Sequence, residues 1–420
     1  MTSPSDRGFG GFVARARARG DLVVQPRMGF AGAARMRAGL ERTKRAAGVT
    51  VGTITLDSYT RLGEYAAAEA ALARGAPLNG YPLLAHGAAA TGVLLDGVQD
   101  DSFPVQVRHG SARPRAIFAE LVAAGVHATE GGPVSYCLPY SRTPLRESVR
   151  SWADACELLA SAGRPDLVPH LETFGGCMLG QLCPPGLLVA LSVLEGLFFA
   201  QHGLRSISLS YAQQTSTEQD MQALAALHRL AARELPADVR WHSVLYAYMG
   251  LYPSTGRGAE RLLRSAASLA VRGGAARLIV KTAAEAHRIP TIDENVTALE
   301  LASHTARQDC RGGPGPVPDA SGGGVYAEAR ALVHAVRELH PDVGTALVRA
   351  FARGLLDVPF CLHPDNQGRT RSVIDGGGWL RWSSTGGLPL PRTAAPQPAR
   401  AMTAEGLLDS LAFVRRAYDS

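Results

Sequence analysis

The sequence predicts an α/β fold: a (β/α)8 barrel of the triosephosphate isomerase type with a C-terminal accessory α+β region. Three observations carry this reading. From about residue 20 to about residue 290, short β-branched or aromatic runs alternate with Ala/Leu/Arg-rich stretches, the pattern of repeated βα units around a parallel sheet. The chain has 420 residues, 46% of them hydrophobic and 19% charged, with mean hydropathy 0.00, enough to bury one large core and excluding disorder. The strand ends carry arginines, a glutamate and tyrosines, and a barrel gathers such ends at one mouth.

Residues 1–20 form an N-terminal segment. Met1 to Gly11 holds Ser, Pro, Gly and Arg without a hydrophobic core, so no secretory signal is expected. The barrel is assigned to 21–290. Its candidate strands are Asp21–Pro26, Thr50–Leu56, Gly80–Ala85, Phe103–Arg108, Gly125–Thr129, Val168–Phe174, Ser206–Tyr211, Val239–Tyr246 and Ala276–Lys281. These are nine runs for eight places, and Val168–Phe174 is the weakest. Thr215-x-x-Glu218 has capping-box spacing ahead of one helix, and Pro184-Pro185 opens another over Leu187–Phe199. That apolar stretch, Gly186 to Ala200, is interrupted by Glu195 and falls short of the roughly 18 to 20 residues a membrane span needs, so a buried helix is predicted and no membrane partner.

Residues 291–420 read as the accessory region. Arg311–Gly324, RGGPGPVPDASGGG, is a Gly/Pro-rich loop. Helical sequence runs from Val325 to Leu356, Val373–Trp382 reads as a hairpin, and Thr403 caps a last helix to about Tyr418. Six cysteines without repeated spacing point to reduced thiols and a cytoplasmic protein. The net charge is +6, but the basic residues are scattered without interleaved aromatics, and no nucleic-acid partner is expected.

Arginine accounts for 41 of the 43 basic residues, leaving only Lys44 and Lys281 as lysines. Lys281 ends the apolar run Arg277-Leu-Ile-Val-Lys, where a solvated lysine is out of place, although a lysine snorkelling from a strand end would read the same way. Three runs end in arginine: Val23-Val-Gln-Pro-Arg27, Asp57-Ser-Tyr-Thr-Arg61 and Pro104-Val-Gln-Val-Arg108. Guanidinium forks bind carboxylates bidentately and do not lose their proton, so three at one mouth suit a multiply negative ligand. Any one of them could instead pair with a structural carboxylate. Glu130, followed by Tyr136 and Tyr140, adds a carboxylate for an ammonium group. The set matches an amino dicarboxylate. His109 is the one histidine adjacent to these residues. HExxH, CxxC, Walker A and GxGxxG signatures are absent, and Cys177 and Cys183 lack a nearby histidine for a zinc site.

QPRMGF (Gln25–Phe30), TLDSYTR (Thr55–Arg61), LNGYP (Leu78–Pro82), QVRHG (Gln106–Gly110), TEGGPVSYCLPY (Thr129–Tyr140) and LIVKTAAEAHRIPT (Leu278–Thr291), in this order, resemble the epsilon (E) subunit family of glutamate mutase, or methylaspartate mutase. LLDVPFCLHPDNQG (Leu355–Gly368) also looks like that family, so the resemblance spans roughly residues 20–385. It implies a radical, adenosylcobalamin-dependent interconversion of L-glutamate and (2S,3S)-3-methylaspartate, with cobalt held by the cofactor. By the resemblance, Arg27, Arg61 and Arg108 grip the substrate carboxylates, Glu130 contacts the amino group and assists hydrogen transfer, and His109, Tyr136 and Tyr140 line the pocket. Cofactor contacts carry over to Gly29, Asn79, Pro139, Tyr252, Lys281, Glu285 and Ile289. No histidine here follows an aspartate by two positions, so the resemblance assigns the axial histidine to a separate small sigma (S) subunit with a D-x-H-x-x-G motif, in a heterotetramer around an epsilon homodimer core. About twenty residues precede the first strand, a shorter arm than the family carries. A cobalamin mutase of another amino dicarboxylate and a non-catalytic barrel homologue are the alternatives.

Overall fold

A computed structural model describes residues 7–178, 182–311, 323–391 and 402–420. Its main sheet contains β1 (Val23–Gln25), β2 (Val49–Thr50), β3 (Gly52–Thr55), β4 (Val105–Arg108), β5 (Ala128–Gly131), β6 (His170–Thr173), β7 (Ser206–Ala212), β8 (Arg240–Tyr246) and β9 (Arg277–Ile279). The order is β2-β1-β9-β8-β7-β6-β5-β4-β3, parallel throughout. Only Val51 separates β2 from β3, and its N–H reaches Val24 O at 3.4 Å. The two ends of the sheet are therefore one stretch of chain, and the sheet closes on itself as an eight-stranded barrel.

The candidate strand outside the barrel is Gly80–Ala85. Val168–Phe174, the weakest on sequence, supplies β6 between β5 and β7. Tyr81 makes a single parallel bridge to Leu56, and helix Leu83–Leu95 starts straight after. Pro82 has no N–H to extend a ladder, so the apolar run that follows coils instead.

Helix Phe9–Ala18 closes the barrel floor, packing Phe9, Phe12, Val13 and Ala16 on Val23, Val51, Ala128 and Ala276 at the strand N-termini. Helix Ile292–Arg311 lies against helices Gly256–Arg272 and Ala33–Lys44 on the outer ring. Helix Pro185–Gln201 is buried on every side from Pro185 to Ala200, with helix Gly323–Arg337 packed over it. Beyond it come helix Val343–Arg353, the hairpin of β10 (Arg371–Ile374) and β11 (Leu380–Ser384), and helices Ala404–Leu411 and Phe413–Asp419. Thr403 accepts from the Gly406 N–H, as its cap role requires. The other predicted cap moves by one residue: Thr215 Oγ1 donates to Gly378 O at 2.6 Å, and Ser216 caps the helix. All but the ends of the Gly/Pro-rich loop 311–324 lies outside the described residues. All six cysteines are free, and five are buried.

Glu195, the charge inside the buried helix, has a structural use. Its carboxylate accepts from the N–H groups of Val134, Ser135, Phe174 and Gly175 and from the Ser135 hydroxyl, all within 3.3 Å. It thereby ties the loop after β5 to the loop after β6. A Cβ on Gly132 would lie 2.0 Å from Glu195 Oε1, so the chain passes there only as glycine. Burial pushes this carboxyl up to about 7, against the pull of its donors. Glu195→Ala leaves five buried donors without their acceptor and is expected to cost roughly 3 to 5 kcal/mol. Urea unfolding measures this, and a loss under about 1 kcal/mol would show that water replaces the carboxylate.

Candidate active site

Barrel interiors are usually filled with branched apolar side chains. This one is polar. Glu130, Glu172, Ser208 and His242 are register partners across β5 to β8 and are all buried. Low in the barrel, Arg277 pairs with Glu172 and bonds Gln25, while its guanidinium sits 4.9 Å from the Phe9 ring of the floor helix. Gln25 Nε2 donates to Thr53 Oγ1 and to Gln106 Oε1, each at 2.8 Å. Most polar atoms near the axis are thus answered from other strands, as burial demands, while Arg277 Nε and His242 Nε2 have no partner among the described residues.

Above this layer lies a second ion pair. Arg108, at the end of β4, donates from Nε to Glu130 Oε1 at 2.9 Å. The Tyr136 hydroxyl donates to the same oxygen, and the Tyr246 hydroxyl lies 2.7 Å from Oε2. Tyr246 also touches Glu172, so it bridges the upper and lower carboxylates. A phenol has one proton and can donate to only one of them at a time. Burial and the two carboxylates hold Tyr246 well above the ordinary phenol range, in its protonated form. Arg108 stacks 5.1 Å over the Tyr246 ring, and its Nη1 is buried without a partner among the described residues.

His109 stacks on Trp152 at 5.6 Å and meets Tyr136 edge-on at 5.1 Å. The Ser111 N–H donates to His109 Nδ1 at 3.0 Å, which places the proton of the neutral ring on the buried Nε2, near the Glu130 backbone. Arg61 comes from one turn of helix, Ser58–Leu62, whose N-cap Asp57 accepts from the Tyr59 and Thr60 N–H groups. It lies beside Gly110 and, with Tyr140, lines a mouth cavity of about 620 Å³. Its Nε is buried and unpartnered among the described residues. Tyr140 stands 6.0 Å from Tyr136 and within electrostatic reach of both Arg27 and Arg108. The structural alternative is realised for two of the three arginines: Arg27 holds Glu285 and Arg108 holds Glu130.

Arg27 belongs to a second cluster. Its Nη1 donates to Glu285 Oε2 at 2.9 Å, and the same oxygen lies 3.7 Å from Lys281 Nζ. Lys281 follows β9 and sits 4.5 Å over the Tyr252 ring. Burial pushes its ammonium down to about 8, with Glu285 opposing and Arg27 adding to the shift. Tyr252 is buried, and its hydroxyl has no partner among the described residues. Gly29 lies against β3, where a Cβ would fall 2.2 Å from Thr55 O. Three residues stand apart from both clusters. Asn79 accepts from the Ser58 N–H at 2.9 Å, Ile289 is exposed, and Pro139 lines a cavity of about 520 Å³ with residues 360–363.

A family model described as Methylaspartate mutase E chain matches residues 3–406. The chain belongs to this family. It is 30% identical to the glutamate mutase epsilon subunit of Escherichia coli O157:H7, over 93% of this chain and 83% of that one. The epsilon subunits of Yersinia enterocolitica (29%, 93% and 83%) and Desulfitobacterium hafniense (30%, 92% and 82%) are similarly related. The family is one of mutases, which are isomerases.

In this member of the family, the sequence pattern does not single out Tyr246, Glu172, Arg277 or Trp152. One signal was present: His170 and Glu172 on β6 and Ser206, Ser208 and Ser210 on β7 alternate in strands that a barrel buries on both faces, so the polar set had to face the axis. The residues present suit adenosylcobalamin. The unpartnered Tyr252 hydroxyl beside the Lys281–Glu285 pair offers donors and acceptors for ribose hydroxyls, and the unpartnered guanidinium nitrogens of Arg61 and Arg108 stand ready for carboxylates. Among the described residues no helix is long and apolar enough to cross a membrane.

Burial, opposed by a backbone hydrogen bond at Glu130 and reinforced by the charge of Arg61, holds His109 neutral, with its pKa down to about 3. The folded value lies below the ordinary 6.5, so this ring contributes stability above pH 6.5 that is lost as the pH falls toward 3. The His109 ring signal, assigned in NMR spectra through His109→Asn, is expected to stay unshifted between pH 5 and 8. Titration near 6.5 would show an open, hydrated ring.

Proposed function

We propose that the chain is the substrate-holding, catalytic subunit of an adenosylcobalamin-dependent glutamate mutase that interconverts L-glutamate and (2S,3S)-3-methylaspartate. The observation that carries this reading is the Arg108–Glu130 pair, linked through Tyr136 and Tyr140 to a mouth cavity lined by the unpaired Arg61. Three guanidinium groups and one carboxylate mirror the two carboxylates and one ammonium of glutamate. Arg61 and Arg108 hold the carboxylates with their unpartnered nitrogens, and Arg27 adds positive charge at the rim. Glu130 takes the ammonium and moves a proton at its carboxylate, with Tyr136 and Tyr246 fixing its rotamer. His109, kept neutral, adds a hydrogen-bond donor without another positive charge.

Adenosylcobalamin supplies the radical chemistry when bound. Tyr252, Lys281 and Glu285 hold its ribose, and Gly29, Asn79, Pro139 and Ile289 border it at the rim. The barrel's part is to orient the substrate and keep water out, so that a fragment freed during the rearrangement stays gripped by its carboxylate. The cobalt ligand comes from a sigma subunit, with two copies of each chain in a cytoplasmic assembly.

Mixing the chain with a sigma protein and adenosylcobalamin should produce a cob(II)alamin spectrum and 3-methylaspartate when glutamate is added. Turnover of another amino diacid alone would change the substrate, and no signal with any diacid would leave a binding homologue. In the active complex, Arg61→Lys is expected to raise the KM for glutamate about tenfold or more, because a point charge cannot replace a planar fork. Glu130→Gln should lower kcat about a hundredfold or more while sigma binding persists. An unchanged KM or kcat removes the corresponding role.

A further inference from the structure

Residues 407–420 lie past the span matched by the family model, yet they reach the cofactor-side cluster. Helix Phe413–Asp419 docks on the loop between β8 and helix Gly256–Arg272. Val414 is buried there among Tyr248, Tyr252, Ala259 and Leu262. Asp419 Oδ2 accepts from the N–H and hydroxyl of Ser254 at 2.9 and 2.7 Å. Its Oδ1 accepts from the N–H and hydroxyl of Thr255 at 3.0 and 2.7 Å. Arg261 Nη1 donates to the carbonyl oxygens of Tyr418 and Ser420 at 3.3 and 3.1 Å. A Cβ on Gly258 would lie 2.7 Å from both Asp419 Oδ1 and Tyr418 O, so the fit needs glycine on the receiving side as well.

The loop so gripped carries Tyr252. Ser254 is also held from the other side, where His287 Nε2 bonds its carbonyl oxygen at 3.1 Å. Tyr252 in turn packs its ring against Lys281, which pairs with Glu285, which holds Arg27. A continuous path of contacts therefore runs from the chain's last residues to the lysine at the end of β9.

We infer that the C-terminal tail is a strap that positions the ribose-binding wall, with Val414 and Asp419 fixing the Tyr252 loop and, through it, Lys281. The inference rests on the cofactor role proposed above for Tyr252 and Lys281. Val414 and Asp419 are positioning residues, since neither touches the substrate clamp. A tail that merely stabilised the fold would lower the melting temperature of its variants without changing the surroundings of Lys281.

The sequence offers an unusually clean probe, because Lys44 and Lys281 are its only lysines. Reductive ¹³C-methylation of the full chain labels these two and the N-terminal amine, and Lys281→Arg identifies the Lys281 signal. In the native chain Lys281 should titrate near 8. Asp419→Ala frees the loop and lets water reach the ammonium, so its titration should move up by about one unit or more toward the ordinary 10.4. Gly258→Ala, which pushes the tail off from the opposite side, should move it the same way. The Lys44 signal should stay put in both.

An unmoved Lys281 titration in these two folded variants overturns the inference. If Asp419→Ala unfolds, Asp419→Asn keeps the shape but loses acceptors: an upward shift supports the strap, and an unmoved signal overturns it. In the complex with a sigma protein, Asp419→Ala should weaken adenosylcobalamin binding about tenfold with the KM for glutamate unchanged. A change confined to the KM for glutamate would overturn the strap. The lysine titration is read on the chain alone, so its outcome does not depend on whether the chain turns glutamate over.

Discussion

Two guanidinium–carboxylate pairs occupy the barrel axis, Arg277–Glu172 below and Arg108–Glu130 above, and the placement of everything at the mouth follows from them. Removing such charges from water is costly, and only close pairing with further hydrogen bonds offsets that cost. Here the further bonds come from Gln25, Ser208, Tyr136 and Tyr246, contributed by β1, β7, the loop after β5 and β8. Every strand that lends a hydrogen-bond partner is held in one position relative to the others. The interior thus gives up the forgiving packing of an apolar core and gains a defined geometry, provided that no member is left unsatisfied.

The atoms that are left unsatisfied are therefore informative. Among the described residues, Arg61 Nε, Arg108 Nη1 and the Tyr252 hydroxyl are buried polar atoms without partners at or just below the mouth, as are Arg277 Nε and His242 Nε2 lower in the barrel. Lower in the barrel, Gln25, Gln106 and Glu172 are bonded from several strands. Donors kept in place and unoccupied are what a ligand with acceptor groups finds preorganised, with the cost met by the network beneath.

Legibility in the sequence divides along physical lines. The barrel is readable because βα alternation is a local pattern, and the arginines because they sit at the end of, or a few residues past, strand-forming runs. Gly80–Ala85 misled because a short apolar run with an aromatic reads equally as strand or helix start, and only Pro82 tipped it toward helix. Tyr246 and Arg277 were invisible for another reason. Nothing local tells a buried tyrosine or arginine in a β-rich run from an exposed one, since their partners, Glu130 and Glu172, lie 116 and 105 residues away. Lys281 was conspicuous only against a background of arginine, a compositional accident of this chain. Its pairing with Tyr252 required the fold.

The division of the mouth between strands has a consequence for how its two charged clusters are coupled. β4 and β5 carry the Arg108–Glu130 pair, whereas the ends of β1 and β9 carry Arg27, Lys281 and Glu285. Arg27 is the residue with a foot in both groups: it is bonded to Glu285 and lies within reach of Tyr140. A negative ligand arriving beside Tyr140 would compete with Glu285 for this guanidinium. Any release of Glu285 would in turn alter the field at Lys281, whose charge Glu285 supports. The two groups of the mouth are then coupled electrostatically through one arginine, with no movement of the barrel required.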